Sequence, residues 1–195
     1  LADQDNTVLL SSFDFANLSV TIADLEAMRL LNSEIVSMLL TDVISETLTI
    51  ADDAYVDGDN TKALLASELE RFVAMLLILT SGDDTVDLAT IDFANLTVTA
   101  GMLDDLSNLN SVIVQDILSD VVTAAVTVPV EAFDAPSTTR LLSGELGAFA
   151  DMILILVDNV LTTDISTLDF ADLSLTTTQL TAMYDLESVL VASIV

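Results

Sequence analysis

Ten residues return almost unchanged along this chain. Ser12-Phe13-Asp14-Phe15-Ala16-Asn17-Leu18-Ser19-Val20-Thr21 recurs as Thr90-Ile91-Asp92-Phe93-Ala94-Asn95-Leu96-Thr97-Val98-Thr99. It recurs again as Thr167-Leu168-Asp169-Phe170-Ala171-Asp172-Leu173-Ser174-Leu175-Thr176. Phe15, Phe93 and Phe170 stand 78 and 77 residues apart. Self-similarity at a fixed long period marks a repeat architecture, in which each unit buries an apolar face against the next.

The match extends well beyond the motif. Leu25, Met28 and Leu31 correspond to Leu103, Leu106 and Leu109 and to Leu180, Met183 and Leu186. Ile35, Val36, Leu39 and Leu40 correspond to Ile113, Val114, Ile117 and Leu118, then to Leu190, Val191, Ile194 and Val195. Leu64, Leu69, Phe72, Met75 and Leu76 correspond to Leu141, Leu146, Phe149, Met152 and Ile153. The register slips by one residue beside Pro136, where a loop absorbs it. Leu1 aligns with Leu79, and Thr7-Val8 with Thr85-Val86. The expected units are therefore 1–10, the end of a preceding unit; 11–88; 89–165; and 166–195, a truncated third. On this reading the chain is a piece of a longer array.

Within a unit the apolar spacing is helical. A first helix follows a capping threonine, Thr21, Thr99 or Thr176, and carries apolar residues at every third position. Asn32 and Asn110 are expected to cap a second helix, whose apolar pairs recur every four residues. A third helix is expected over about 61–79 and 137–156, with Phe72 or Phe149 at its centre. Gly144 and Gly147 weaken it, or else permit a close helix crossing. Leu18-Ser19-Val20 and Leu48-Thr49-Ile50, with Leu96-Thr97-Val98 and Val126-Thr127-Val128, alternate with period two. They either pair with each other or drop side chains into the core, and are too short for a β fold. The predicted class is all-α: a tandem helical repeat, as a solenoid or a string of small helical modules, with at most short extended segments.

Composition narrows the function. Four Lys and Arg face 32 Asp and Glu, a formal net charge of −28. Arg29, Lys62, Arg71 and Arg140 are too few to neutralise phosphates, so no nucleic-acid or anionic-membrane partner is expected. With 52% apolar residues the chain has enough to bury for folding despite that charge. Its most apolar stretch, Leu141 to Leu161, is interrupted by Glu145, Asp151 and Asp158, so no membrane insertion is expected. There is no His or Cys, which removes His-dependent triads, thiolate catalysis and the usual transition-metal ligands. A Ser–Lys dyad would have to use Lys62, and no serine is marked as its partner. Carboxylate pairs for glycoside hydrolysis are unavoidable among so many acids, yet Trp is absent and only Tyr55 and Tyr184 are left to stack a sugar.

One stretch invites a calcium reading. Asp52-Asp53-Ala54-Tyr55-Val56-Asp57-Gly58-Asp59-Asn60 puts Asp53, Asp57 and Gly58 at the first, fifth and sixth places of an EF-hand loop. Tyr55 then takes the third place and Leu64 the twelfth, where the bidentate Glu belongs. The expectation is an acidic solvated loop, with a weak cation site as the alternative; Asp83, Asp84 and Asp87 are read the same way. Asp14, Asp92 and Asp169, being repeated, read as turn or cap residues.

No catalytic, cofactor-binding or metal-ligating residue is therefore expected, and no cofactor. The expected function is a non-catalytic structural or spacer region of a larger exported or cell-surface protein. Its expected partners are neighbouring repeat units or copies of itself. The alternative is an acidic repeat module that binds a basic protein or peptide, cation-assisted or not.

Overall fold

The computed structural model describes residues 19–59, 62–134 and 139–195. Outside them lie most of the first motif copy, with Asp14 and Phe15, the aligned Leu1, Thr7 and Val8, and Asn60, Pro136 and Ser137. The protein is all-helical: the described residues form eight α-helices and short 3-10 turns, with no β-strand. They divide into two compact units, Leu1–Phe93 and Ala94–Val195.

The first unit contains α1 (Ile22–Arg29), α2 (Glu34–Ser45) and α3 (Ala66–Leu79). Thr21 opens α1 with a capping box: its hydroxyl accepts from the Asp24 N–H, and the Asp24 carboxylate accepts from the Thr21 N–H. Two of the helix's orphan donors are met this way. α1 packs on both α2 and α3. Val20, Ile22, Leu25, Leu40, Ile44, Phe72, Met75 and Leu76 form the core. The Phe72 ring lies 6.2 Å from that of Phe93, so the repeated motif's phenylalanine packs on the centre of the third helix.

The second unit holds α4 (Ala100–Ser107), α5 (Val112–Ala125), α6 (Ser143–Leu156), α7 (Thr177–Tyr184) and α8 (Val189–Ile194). Thr99 and Thr176 cap α4 and α7 through the N–H groups of Met102 and Gln179. α6 is the hub, lying against α4, α5, α7 and α8. Phe149 at its centre is fully buried and sits 6.0 Å from Phe170.

Four expectations are corrected. Asn32 and Asn110 do not cap the second helices. They take left-handed φ values of 48° each, as Glu187 does at 51°, and turn the chain. The cap position falls one residue later, on Ser33, Ser111 and Ser188. Ser111 and Ser188 accept from the N–H groups of Val114 and Val191 at 3.3 and 3.0 Å. Asparagine tolerates the left-handed region better than most residues, so its signal marks the turn and not the cap.

The third helices start later than their apolar pattern, at Ala66 and Ser143. The residues ahead of them have their backbone groups engaged elsewhere. Tyr55 bridges Leu64, and the Leu65 N–H donates to the Ala54 carbonyl at 2.9 Å. Phe133 bridges Leu141 in the same way, and the Leu142 N–H reaches the Ala132 carbonyl at 2.9 Å. Buried side-chain hydroxyls hold both segments. Thr41 Oγ1 accepts from the Leu64 N–H at 2.8 Å, and Ser119 Oγ from the Leu141 N–H at 2.9 Å. Ser119→Ala should therefore destabilise the protein by about 1–3 kcal/mol in urea unfolding, the cost of leaving a buried N–H unpaired.

Among the described residues the extended segments do not pair with each other as one reading had it. The Leu88 N–H donates to the Val20 carbonyl at 2.9 Å, and the Ile165 N–H to the Val98 carbonyl at 3.0 Å. Ile50 goes into the core instead.

Gly144 and Gly147 permit no close crossing, because a Cβ at either would meet open space. Their replacement by alanine should stabilise α6 by about 0.5–1 kcal/mol each. Gly101 is the contrast: a Cβ there would lie 3.0 Å from Leu161 Cβ. In thermal melts Gly144→Ala and Gly147→Ala should raise the midpoint and Gly101→Ala should lower it, since its Cβ would also lie 3.2 Å from the Leu161 carbonyl oxygen.

Candidate functional site

The acidic loop forms two successive 3-10 turns, Asp52–Ala54 and Val56–Gly58. Asp57 and Gly58 both have left-handed φ, 60° and 63°. The Asp57 carboxylate faces the Lys62 ammonium at 3.7 Å, both side chains being largely exposed. Lys62 thus meets an acid, with no serine hydroxyl bonded to it among the described residues. Burial raises the pKa of the Tyr55 phenol, helped by Asp52 and Asp42. Among the described residues no three acidic side chains converge as a metal cage would require. Asn60, the last donor of the loop, lies outside them.

The other acidic candidates bond nearby backbone. Asp83 accepts from the N–H and hydroxyl of Thr85 at 3.0 and 2.7 Å, which holds its carboxyl below the ordinary range. Asp87 accepts from the Ala89 N–H at 2.9 Å and from the Ser19 hydroxyl, and so caps the 3-10 turn Leu88–Thr90. Asp164, 77 residues on, caps Ile165–Thr167 through the Ser166 N–H at the same 2.9 Å. Asp169 accepts from the Ala171 N–H at 3.0 Å, an Asx turn that starts the Phe-Ala-Asp-Leu segment. These aspartates are spread along the chain and do not form one site.

Two polar constellations were not singled out in the sequence. Arg140 is buried, and its Nε donates to Asp116 Oδ1 at 2.7 Å while an Nη donates to Oδ2 at 3.2 Å, a bidentate pair. Asp120, one turn beyond Asp116, has its pKa raised by burial and then by the Asp116 charge. The second constellation is Glu145 on α6. Its carboxylate accepts from the Ser188 hydroxyl at 2.6 Å and from the Leu190 N–H at 2.9 Å, capping α8 from another helix. Spacing reveals neither contact, because the partners stand 24 and 43 to 45 residues apart. The recurrence of Glu68 at Glu145 was the one available clue.

Two apolar hollows open on the surface. One, of roughly 700 Å³, is lined chiefly by Leu180, Met183, Tyr184, Val189, Ala192 and Val195. The other, of roughly 300 Å³, lies over Ile22, Ala27, Leu30, Val73 and Leu77. The first also carries Glu187 and Ser188 at its edge, and the second Glu26 and Asp84. The chain's formal net charge is −28.

That charge carries a testable consequence. Each of the four cations already lies within 4.0 Å of a carboxylate, so the remaining acids repel one another, and more strongly in the folded chain. Raising sodium chloride from 10 to 300 mM should raise the melting temperature by about 2–4 °C for each kcal/mol of repulsion screened. An unchanged or lower midpoint refutes this. Acid acts in both directions. Asp24, hydrogen-bonded by Thr21, and Asp83 have lowered pKa values. Their stabilisation is full above the ordinary carboxylate pKa and is lost as pH falls through the lowered values. Asp120 has the opposite sign, since ionising it costs the folded state more than the unfolded one.

No model of a known protein family, no curated protein and no solved structure matches this chain.

Proposed function

We propose that this chain is a non-catalytic structural region, a tandem array of helical units acting as a spacer in a larger exported or cell-surface protein. The array runs as units 11–88, 89–165 and 166–195. One observation carries the reading: the side-chain caps and backbone pins of the helices and turns recur with the sequence repeat. Thr21, Thr99 and Thr176 cap helices; Asp87 and Asp164 cap 3-10 turns; Thr41 and Ser119 pin the segment before the third helix. A chemistry-bearing site would instead gather such groups at one unrepeated place. The Ser-, Thr- and Asp-rich, Lys-poor composition supports a solvated location outside the cell.

The test is to vary unit number. Small-angle scattering of chains carrying one added or one deleted 77-residue unit should show maximum dimension growing linearly with unit count. A dimension independent of unit count refutes the array. Antibody labelling of intact source cells tests the location.

The charge of −28 favours a second reading, capture of a basic protein or peptide. Its mark is an association with a lysine-rich peptide that weakens steeply between 50 and 300 mM salt.

A further inference from the structure

The same sequence position meets very different surroundings along the chain. Ile35 on α2 is 79% exposed, whereas its counterparts Ile113 and Leu190 are 1% and 0% exposed. Val114 and Val191 are buried, while Val36 is only partly so. Leu30 and Leu31 beside Ile35, and Met38 one turn on, are exposed too. The α2 cap is also incomplete, because Ser33 makes no side-chain cap bond.

The second unit shows what covers this face. There α6 lies against α7 and α8, and Glu145 on α6 receives the Ser188 hydroxyl and the Leu190 N–H. Ser188 and Leu190 are the repeat equivalents of Ser33 and Ile35. The same helix type buries the opposite face as well. Leu25 and Leu103 are 1% and 0% exposed in units where α3 packs on α1 and α6 on α4. Their counterpart Leu180, on α7, which no helix of the third type follows among the described residues, is 45% exposed.

We propose that the exposed face of Leu31, Ile35 and Met38 is a docking surface for a third helix of the α6 type, supplied by another repeat unit, whose glutamate completes the cap of α2. The proposal rests on the repeat reading above and adds the identity of the contact. A helix N-terminus carries partial positive charge, so the occupant brings a carboxylate there and not a basic group. The apolar remainder matches the α6 face that seats Leu190 and Val191. A second copy of this chain is a poor source. Its α6 is already held between α4 on one side and α7 and α8 on the other, and Glu68 on α3 is itself buried.

The register makes the test direct. Leu1 aligns with Leu79 and Leu156, so a copy of residues 139–155 placed ahead of Leu1 in the full chain supplies the helix in phase. Hydrogen exchange is read at the amides of residues 34 to 38, with the whole chain's exchange as the folding control. The graft should slow exchange at the Ile35 amide at least about tenfold. A Glu→Gln change at the grafted equivalent of Glu145 should forfeit most of that slowing, because a charge-assisted cap bond is lost while the apolar contact stays. Ile35→Asp should forfeit it too.

Unchanged exchange in the graft overturns the proposal, as does protection that neither substitution alters. So does sedimentation showing that the ungrafted chain dimerises through Ile35, since a second copy would then cover the face. A failed graft on a chain whose dimension still grows with unit number rejects this contact and leaves the array standing. A dimension independent of unit number rejects the array itself.

Discussion

Phe149→Ala should cost about 3–5 kcal/mol of stability in chemical unfolding. Phe149 is 0% exposed and stands at the middle of α6, the helix that contacts α4, α5, α7 and α8. A cavity there is walled on several sides, so little of it can close by relaxation, and the cavity term adds to the lost transfer energy. The tilted contact with Phe170 at 6.0 Å is lost as well. Phe149→Leu should cost less, about 1–2 kcal/mol, because most of the volume is kept. Phe170→Ala should also cost less than Phe149→Ala, since Phe170 is only partly buried. A loss below about 1 kcal/mol for Phe149→Ala would contradict the packed hub.

Arg140→Ala should cost about 2–4 kcal/mol, somewhat below the usual cost of breaking a fully buried ion pair. The discount has a structural cause: the Arg140 side chain is 9% exposed, but Asp116 keeps 25% exposure and part of its hydration. Without the guanidinium, Asp116 faces Asp120 with no cation between them, in a protein that has only three others. The informative comparison is Asp116→Leu combined with Arg140→Met. Removing both charges leaves no stranded ion, so the double variant should recover most of the loss. A double variant as unstable as the sum of the two singles would show that the residues act independently.

Much of the architecture is legible in residue order. The 78- and 77-residue spacing sets where equivalent segments begin. The helical spacing of Leu25 and Met28 and the position of Thr21 locate α1, and their equivalents locate α4 and α7, because periodicity and capping are local properties; Leu31, Leu109 and Leu186, in the same spacing, fall beyond the helix ends. The lack of His and Cys removes whole classes of chemistry without reference to shape. The acidic runs are ambiguous in residue order alone, being equally suited to a cation and to backbone N–H groups. Asp83, Asp87 and Asp169 bond N–H groups two residues ahead, which short-range turn chemistry allows.

Other features depend on distant partners. The third helix starts at Ala66 and not near 61 because the preceding backbone pairs with Ala54 to Val56 and Thr41 holds Leu64. The polar-to-apolar pattern is the same whether those residues are helical or extended, so only the partner settles it. The two faces of Ile35 and Leu190 make the point most sharply. Both are apolar residues on equivalent helices, yet one is open to solvent and the other buried beneath α6 with Glu145 on its cap. Side-chain type records that a position can be buried. Whether it is buried, and which carboxylate closes the helix end, follows from what packs against it, and contacts formed across 24 to 45 residues have no signature in local order.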